Sequence, residues 1–238
     1  MKISAMTDIG SVRKQNQDAF WFRQISENLT VAVVCDGMGG ARGGSNASSL
    51  ATKTVEYYLD QTQPLKDIQH AFKEIIEFSN KNVYDTAFSN DELAGMGTTM
   101  VLAAVQNQTV HFANVGDSRG YHITNGGIHQ ITKDHSAVQE LIDGGHITER
   151  QAKIHPNKNI ITRAIGVEDT VEFDYFSVDA APGDIIVLCT DGLTNHVDEN
   201  EIQFEASGGA FEDLPQRLID LANNRGGTDN ITVVAIRI

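Results

Sequence analysis

Three apolar runs in the chain each lead into an aspartate set beside glycine. Val31–Cys35 enters Asp36-Gly37-Met38-Gly39-Gly40, Val110–Val115 enters Gly116-Asp117-Ser118, and Ile185–Cys189 passes through Thr190 into Asp191-Gly192. Two further aspartates stand just before runs of the same kind, Asp18 ahead of Ala19–Arg23 and Asp229 ahead of Ile231–Ile238. Any one of them reads most simply as a turn residue, because Asp-Gly is a common turn dipeptide and aspartate is at home where a strand stops. The five together imply more. If the strands pair antiparallel, the start of one lies beside the end of its neighbour, and five carboxylates gather at one edge. Like charges held that close call for a cation between them.

The donor types narrow the cation. Neither Cys nor His occurs with zinc-type spacing. Carboxylates, the carbonyl of a glycine that follows an aspartate, and water suit Mg²⁺ or Mn²⁺. Ca²⁺ takes the same atoms, but the chain has no Asp-x-Asp-x-Asp loop. Two such ions roughly 3.5–4 Å apart could activate a bridging water and hold a phosphoryl oxygen. Arg13 lies five residues before Asp18. Its guanidinium fork suits a phosphate dianion; its commoner use is a surface pair with one of the many acids.

These residues need elements to carry them. Strand patterns cover Ala19–Arg23, Thr30–Cys35, Thr98–Val105, Val110–Val115, Gly120–Thr124, Ile185–Cys189 and Ile231–Ile238. Asn107-Gln108 and Asn125-Gly126-Gly127 read as hairpin turns, which imply antiparallel pairing. Thr98–Val105 and Ile185–Cys189 are nearly all apolar, so both of their faces should be covered. Helical spacing predicts Lys66–Phe88, with Pro64 just before it and Ile68, Phe72, Ile75, Ile76, Ser79 and Val83 on one face. A second helix is expected over Ala47–Leu59, capped by Ser45 or Asn46, and a third over Leu214–Ala222 with Pro215 in its first turn. Hairpins and back-to-back helices point to an α+β fold with antiparallel sheets. His135–Gly166 fits neither pattern and reads as a partly helical flap; His135 and His155 within it read as surface or packing residues.

With 238 residues, 40% hydrophobic and 21% charged, the composition is that of a globular protein with ample core. The formal net charge of −14 argues against nucleic acid and against anionic membrane surfaces as partners. Two cysteines, Cys35 and Cys189, make no disulfide framework and read as reduced core residues. The N-terminal stretch lacks the apolar run of a signal peptide, and no run approaches the ~18 residues of a membrane span. The expectation is a cytoplasmic protein.

Six segments in order resemble a known family, the metal-dependent protein serine/threonine phosphatases of type 2C (PPM family), and in particular its compact bacterial members. They are Ser11-Val-Arg-Lys-Gln-Asn-Gln-Asp18, Val33-Val-Cys-Asp-Gly-Met-Gly-Gly40, Gly95-Met-Gly-Thr-Thr99, Asn114-Val-Gly-Asp-Ser-Arg119, Leu188-Cys-Thr-Asp-Gly-Leu193 and Gly227-Thr-Asp-Asn-Ile-Thr232. The resemblance spans nearly the whole chain. It implies a β-sandwich of two antiparallel sheets flanked by helix pairs, with a metal cleft at one end. It implies a single catalytic domain over 1–238 with a flap subdomain around 135–166. It implies hydrolysis of phosphoserine and phosphothreonine by a metal-activated water, without a phosphoenzyme, in opposition to a cognate bacterial Ser/Thr kinase. By resemblance Asp36 bridges two Mn²⁺ or Mg²⁺ ions, Gly37 gives its carbonyl to one, and Asp191 and Asp229 hold the other. Asp18 belongs to the same cluster, directly or through water. Arg13 binds the substrate phosphate, and Asp117 with Asp191 holds a weaker third ion. The expected state is a monomer.

The chain departs from the pattern in places. Met38 stands where many eukaryotic members carry a His proposed as general acid, so protonation of the leaving alkoxide falls to another group, such as a water on the metal. Gln17 replaces a Glu, and Ser45-Asn46 a frequent Gly-Glu. No central aspartate is lost, which speaks against a catalytically dead binding module. A different two-metal hydrolase, acting on phosphodiesters or small phosphate esters, stays open at this stage.

Overall fold

In the computed structural model, described for all residues except Gln63, Pro64 and Lys66 and the side chains of Ala41 and Arg42, eleven strands and seven α-helices follow one another. The strands are β1 (Lys2–Asp8), β2 (Asp18–Ser26), β3 (Leu29–Met38), β4 (Gly97–Thr98), β5 (Met100–Gln106), β6 (Thr109–Val115), β7 (Arg119–Thr124), β8 (Gly127–Gln130), β9 (Asp174–Asp179), β10 (Ile185–Cys189) and β11 (Ile231–Arg237). The helices are α1 (Gly40–Gln61), α2 (Ile68–Ser89), α3 (Ala137–Asp143), α4 (Glu149–Ala152), α5 (Asp191–Thr194), α6 (Glu199–Ser207) and α7 (Leu214–Asn224). One sheet runs β1-β11-β10-β7-β8; the other runs β2-β3-β5-β6-β9, with the short β4 on β3. All pairings are antiparallel.

Strand alternation builds four layers. Ala32, Val34, Val101, Ala103, Phe112, Ile186, Leu188, Val234 and Ile236 fill the space between the sheets. The opposite set on the second sheet, Val31, Val33, Cys35, Leu102 and Ala104, packs on α1 and α2 through Ala47, Ala51, Val55, Leu59, Phe72, Ile75 and Ile76. On the first sheet Val187, Cys189, Val233 and Ala235 pack on α5–α7 through Leu193, Ile202, Leu214 and Leu218. The predicted covering of both faces of the apolar runs is what the layers provide. Among the described residues no helix is long and apolar enough to cross a membrane.

Some elements differ from the sequence expectation. The first helix starts at Gly40, not after a cap at Ser45 or Asn46, because Gly39 turns the chain with φ 116° and no side-chain cap. A Cβ there would stand 2.6 Å from the Met96 Cα, so glycine is required. The expected strand over Thr98–Val105 is split at Thr99, which leaves the ladder to bond Asp36. Strands β1, β8 and β9 and helix α6 were not predicted. Pro64 and Lys66, expected before and at the start of the long helix, lie outside the described residues. The pattern from Ile68 onward is helical and buries every position predicted for its inner face. Residues 135–166 carry the two short helices α3 and α4.

Candidate metal and phosphate site

The antiparallel registers draw the aspartates to one end of the sandwich. Asp18, the first residue of β2, pairs directly with Asp36 near the end of β3. Beyond β10 the chain follows β11 for one more step, with Thr190 N–H donating to the Thr232 carbonyl at 3.1 Å. It then turns into α5 against the segment before β11: a Cβ on Gly192 would stand 1.9 Å from the Asn230 carbonyl oxygen. Asp191 and Asp229 are neighbours for that reason, and the charge of Asp229 acts on Asp191. Because β10 ends at Cys189, strand alternation does not carry over to Asp191, which is the first residue of α5.

Backbone and hydroxyl contacts hold the acids in place. Thr99 N–H donates to the Asp36 carbonyl at 2.8 Å, and Asp36 N–H donates to Thr99 Oγ1 at 2.9 Å. Thr99 Oγ1 also lies 2.7 Å from Ser118 Oγ, next to Asp117. The hydroxyls of Thr190 and Thr232 donate to Asp18 Oδ2 at 2.9 and 2.7 Å. Asn195 Nδ2 donates to Asp191 Oδ2 at 2.9 Å. The Asn230 amide gathers the loop that carries Arg13: it accepts from Gln17 N–H at 2.8 Å and donates to the Ile9 and Gln15 carbonyls, each at 2.9 Å. Gly37 admits no side chain, since a Cβ would meet the Gly44 carbonyl oxygen at 2.1 Å; its own carbonyl lies beside Gly44 of α1.

The charges are left unbalanced. Burial, then the Asp191 and Asp229 charges, push Asp18 up to about 7 against the pull of its two threonine hydroxyls. Burial, then Asp191 and Asp134, push Asp117 up to about 8. Burial also raises Asp36 well above the ordinary carboxylate range, with Asp18, Asp191, Asp117 and Asp229 adding to it, and it raises Asp191 in the same sense. Arg13 Nη2 reaches Asp229 Oδ2 at 2.7 Å, and that bond raises the guanidinium further.

An ion fits this donor set. Asp18 Oδ1 and Asp191 Oδ1 are buried with no hydrogen-bond partner among the described residues. A buried carboxylate oxygen without a donor is costly unless something positive meets it. Every donor is oxygen, as Mg²⁺ and Mn²⁺ prefer. Among the described residues no three His, Cys, Asp or Glu side chains already close round a single point; Asp18, Asp117, Asp191 and Asp229 each lie near enough to act on Asp36 by charge.

A cavity of about 790 Å³ opens from Asp117 and Asp191 and runs between α3–α4 and α5–α6, past Val138, Glu149, Lys158 and Glu199. Lys158 Nζ donates to Asn195 Oδ1 at 3.1 Å, linking the 135–166 segment to the residue that bonds Asp191. Burial pushes the thiols of Cys35 and Cys189 up, Cys189 to about 12, as befits inert core residues.

The seven site residues named from the sequence come together at this end. Sequence reasoning missed Thr99, Thr190, Thr232, Asn195 and Asn230. The signal for Thr190 and Thr232 was present: each is a hydroxyl beside or inside an otherwise apolar strand.

The protein phosphatase 2C family model matches residues 11–231. The serine/threonine phosphatase Stp of Listeria welshimeri is 40% identical over 234 residues, 97% of this chain and 93% of that protein. The solved structure of the S. agalactiae serine/threonine phosphatase superposes with a TM-score of 0.93 at 37% identity, covering 100% of this chain and 99% of that one. The catalytic domain of the serine/threonine protein phosphatase PstP, in complex with two manganese ions, superposes with a TM-score of 0.87 at 32% identity, covering 98% and 96%. With the motifs, the sandwich and the acidic cleft in agreement, the chain belongs to the protein phosphatase 2C family.

Proposed function

We propose that the chain hydrolyses phosphoserine and phosphothreonine in proteins in a single in-line displacement by water, with no phosphoenzyme. The observation that carries this reading is the pair of unpartnered buried oxygens, Asp18 Oδ1 and Asp191 Oδ1, at a cleft whose mouth holds Arg13. The protein is a metal-dependent phosphoric monoester hydrolase of its family. Asp36 with the Gly37 carbonyl, and Asp191 with Asp229, would hold two ions, Mn²⁺ or Mg²⁺, with Asp18 in the same cluster. When bound, such a pair acidifies a water and neutralises phosphoryl charge. Arg13 turns its fork from Asp229 to the substrate phosphate, a charge-assisted bidentate contact that sharpens as charge builds on the phosphoryl oxygens. Thr190 and Thr232 fix the rotamer of Asp18, and Asn195 fixes that of Asp191. Asp117, with Asp191, would support a third, weaker ion. Met38 cannot donate a proton, so the leaving alkoxide takes its proton from water in the cleft.

The same reading takes 1–238 as one catalytic domain with a flap over 135–166, acting as a cytoplasmic monomer against the products of a Ser/Thr kinase. Phosphate release from a phosphothreonine peptide, measured with Mn²⁺, with Mg²⁺ and with EDTA, tests it. Turnover with either ion and none with EDTA is expected. Cleavage of a phosphodiester in place of the peptide would assign the site to another two-metal hydrolase.

A further inference from the structure

Both ends of the 135–166 segment close on one residue, and that residue grips the turn that carries Asp117. His135 N–H donates to the Gly116 carbonyl at 2.9 Å, and the His135 carbonyl accepts from Thr162 N–H at 2.8 Å. The ring then takes the other side of Gly116: Nδ1 accepts the Gly116 N–H at 3.1 Å. Gly116 is left-handed, with φ 104°, and a Cβ there would stand 2.6 Å from Thr99. The turn therefore packs so closely on Thr99 that only glycine fits there. On the other side its amide and its carbonyl are both held by His135, with Asn114 Nδ2 as a second donor to the carbonyl at 3.0 Å.

The Gly116 N–H assigns the tautomer. A backbone amide only donates, so Nδ1 carries no proton and Nε2 carries the one that remains. Nε2–H faces Asp174 Oδ2 at 3.3 Å, and Arg163 Nη1 reaches Asp174 Oδ1 at 3.0 Å. Arg163 Nη1 also stands 3.2 Å from Nε2, so both ring nitrogens face an N–H; among the described residues the Asp174 carboxylate beside Nε2 is the one acceptor in reach of the ring's proton, while Nδ1 has none. The ring is buried, 5% exposed in its side chain. A buried histidine is most often packing, but packing does not require that its two nitrogens be told apart. This arrangement does.

We propose that His135 is a positioning residue for Asp117: its unprotonated Nδ1, by accepting the Gly116 amide, fixes the turn that presents the Asp117 carboxylate to the cleft, and so ties the flap to that carboxylate. The inference rests on the reading of Asp117 as a ligand of a weaker ion, and it concerns a residue outside the ligand set. Partners that orient ligands from behind typically change metal affinity 10–100-fold when lost.

Two amides separate the two ring nitrogens. In His135→Asn the side-chain oxygen lies where Nδ1 does and can still accept from Gly116. In His135→Gln the amide reaches the Nε2 position, keeps Asp174 and leaves Gly116 N–H without an acceptor. Mn²⁺ titration calorimetry is run on the full chain, the two variants and Asp117→Ala, with melting curves alongside. The wild type should show a tight pair of ions followed by a weaker phase that Asp117→Ala abolishes. His135→Gln should weaken that phase by about 10–100-fold and keep the tight pair; His135→Asn should retain it. Equal weak phases in His135→Gln and the wild type, or equal losses in the two amides, would overturn the role given to Nδ1. A weak phase untouched by Asp117→Ala would instead overturn the reading of Asp117. The imidazole nitrogen spectrum of the wild type tests the clamp without any variant: a proton on Nε2 is expected, and a proton on Nδ1 would end the proposal.

Discussion

Strand β10 has an aspartate before its first residue and another two residues past its last, and the two are treated in opposite ways. Asp184 Oδ2 accepts from His122 Nε2 at 2.8 Å and from Ala181 N–H at 2.9 Å, with 12% of its side chain exposed. The His122 side chain is 8% exposed, so this is a closed pair that pins β7 to the entry of β10. Asp191 has one oxygen on Asn195 and one with no partner, among four other carboxylates. Residue type and strand-end position are the same at the two ends. The difference lies in what stands opposite. One end supplies donors and yields stability; the other withholds them and leaves a site that something positive must complete.

Alanine at each end should separate these effects. Asp191→Ala should lower turnover by at least roughly 10²–10³-fold, the usual loss on removing one electrostatic stabiliser of a transition state. In EDTA it should melt at or above the wild type, because a desolvated charge has been taken from a repulsive group. Asp184→Ala should do the reverse. It strands His122 and the Ala181 N–H, at a cost of about 1–3 kcal/mol, and should leave kcat with saturating metal unchanged. Steady-state assays on a phosphothreonine peptide beside thermal melts read both. A destabilised Asp191→Ala with full turnover would erase the distinction.

The sequence made the outline of this comparison legible, and only one side of it in detail. The strand ends before Asp117 and Asp191 could be read because the apolar runs stop sharply there, while β3 runs on through Asp36 to Met38. The antiparallel rule then gathered the five aspartates at one edge, and the β2–β3 register sets Asp18 directly against Asp36. Asp184 drew no attention, since nothing local says that His122, 62 residues away, will meet it. Thr190 and Thr232 stood out as hydroxyls among apolar residues, but what they bond to was hidden, because it depends on which strand lies alongside. The start of α1 was missed because a side-chain cap was expected where Gly39 turns the backbone alone. β1 was missed as well, its burial being only partial on both faces. What pattern conveys is which face of an element is buried. What it leaves out is the partner across a layer, and positioning contacts are of that second kind.

Arg13 sharpens the contrast from the cation side. It sits on Asp229 as His122 sits on Asp184, but its side chain is 52% exposed. A pair so open to water contributes about 0–1 kcal/mol at most. Arg13→Ala should therefore leave the melting temperature nearly unchanged while raising KM for phosphopeptides by about 10–100-fold, the size of a lost hydrogen bond to a charged group. An unchanged KM would make Arg13 a surface cation and nothing more.

The mildest effect should come from pH. In the protein without ions, burial holds Asp18 up to about 7 and Asp117 up to about 8. The unfolded chain releases the same protons near pH 4, the usual carboxylate range. Between about pH 4 and 8 the folded form thus binds more protons than the unfolded form, so its stability falls as pH rises. The contribution is complete below the unfolded value and lost above the folded one. The EDTA-treated protein should melt lower at pH 8 than at pH 5, by about 2–4 °C for each kcal/mol involved. Other carboxylates add their own slopes, so the decisive quantity is the difference between wild type and Asp18→Asn, whose amide has no proton to lose. That difference should shrink the decline. Asp184→Ala should keep it, because the closed end of β10 has no part in it. Mn²⁺ competes with the same protons and should stabilise more at pH 8 than at pH 5. Parallel pH profiles for the wild type and Asp18→Asn in EDTA would mean that Asp18 carries no excess proton, and that the open end of the strand is no more strained than the closed one.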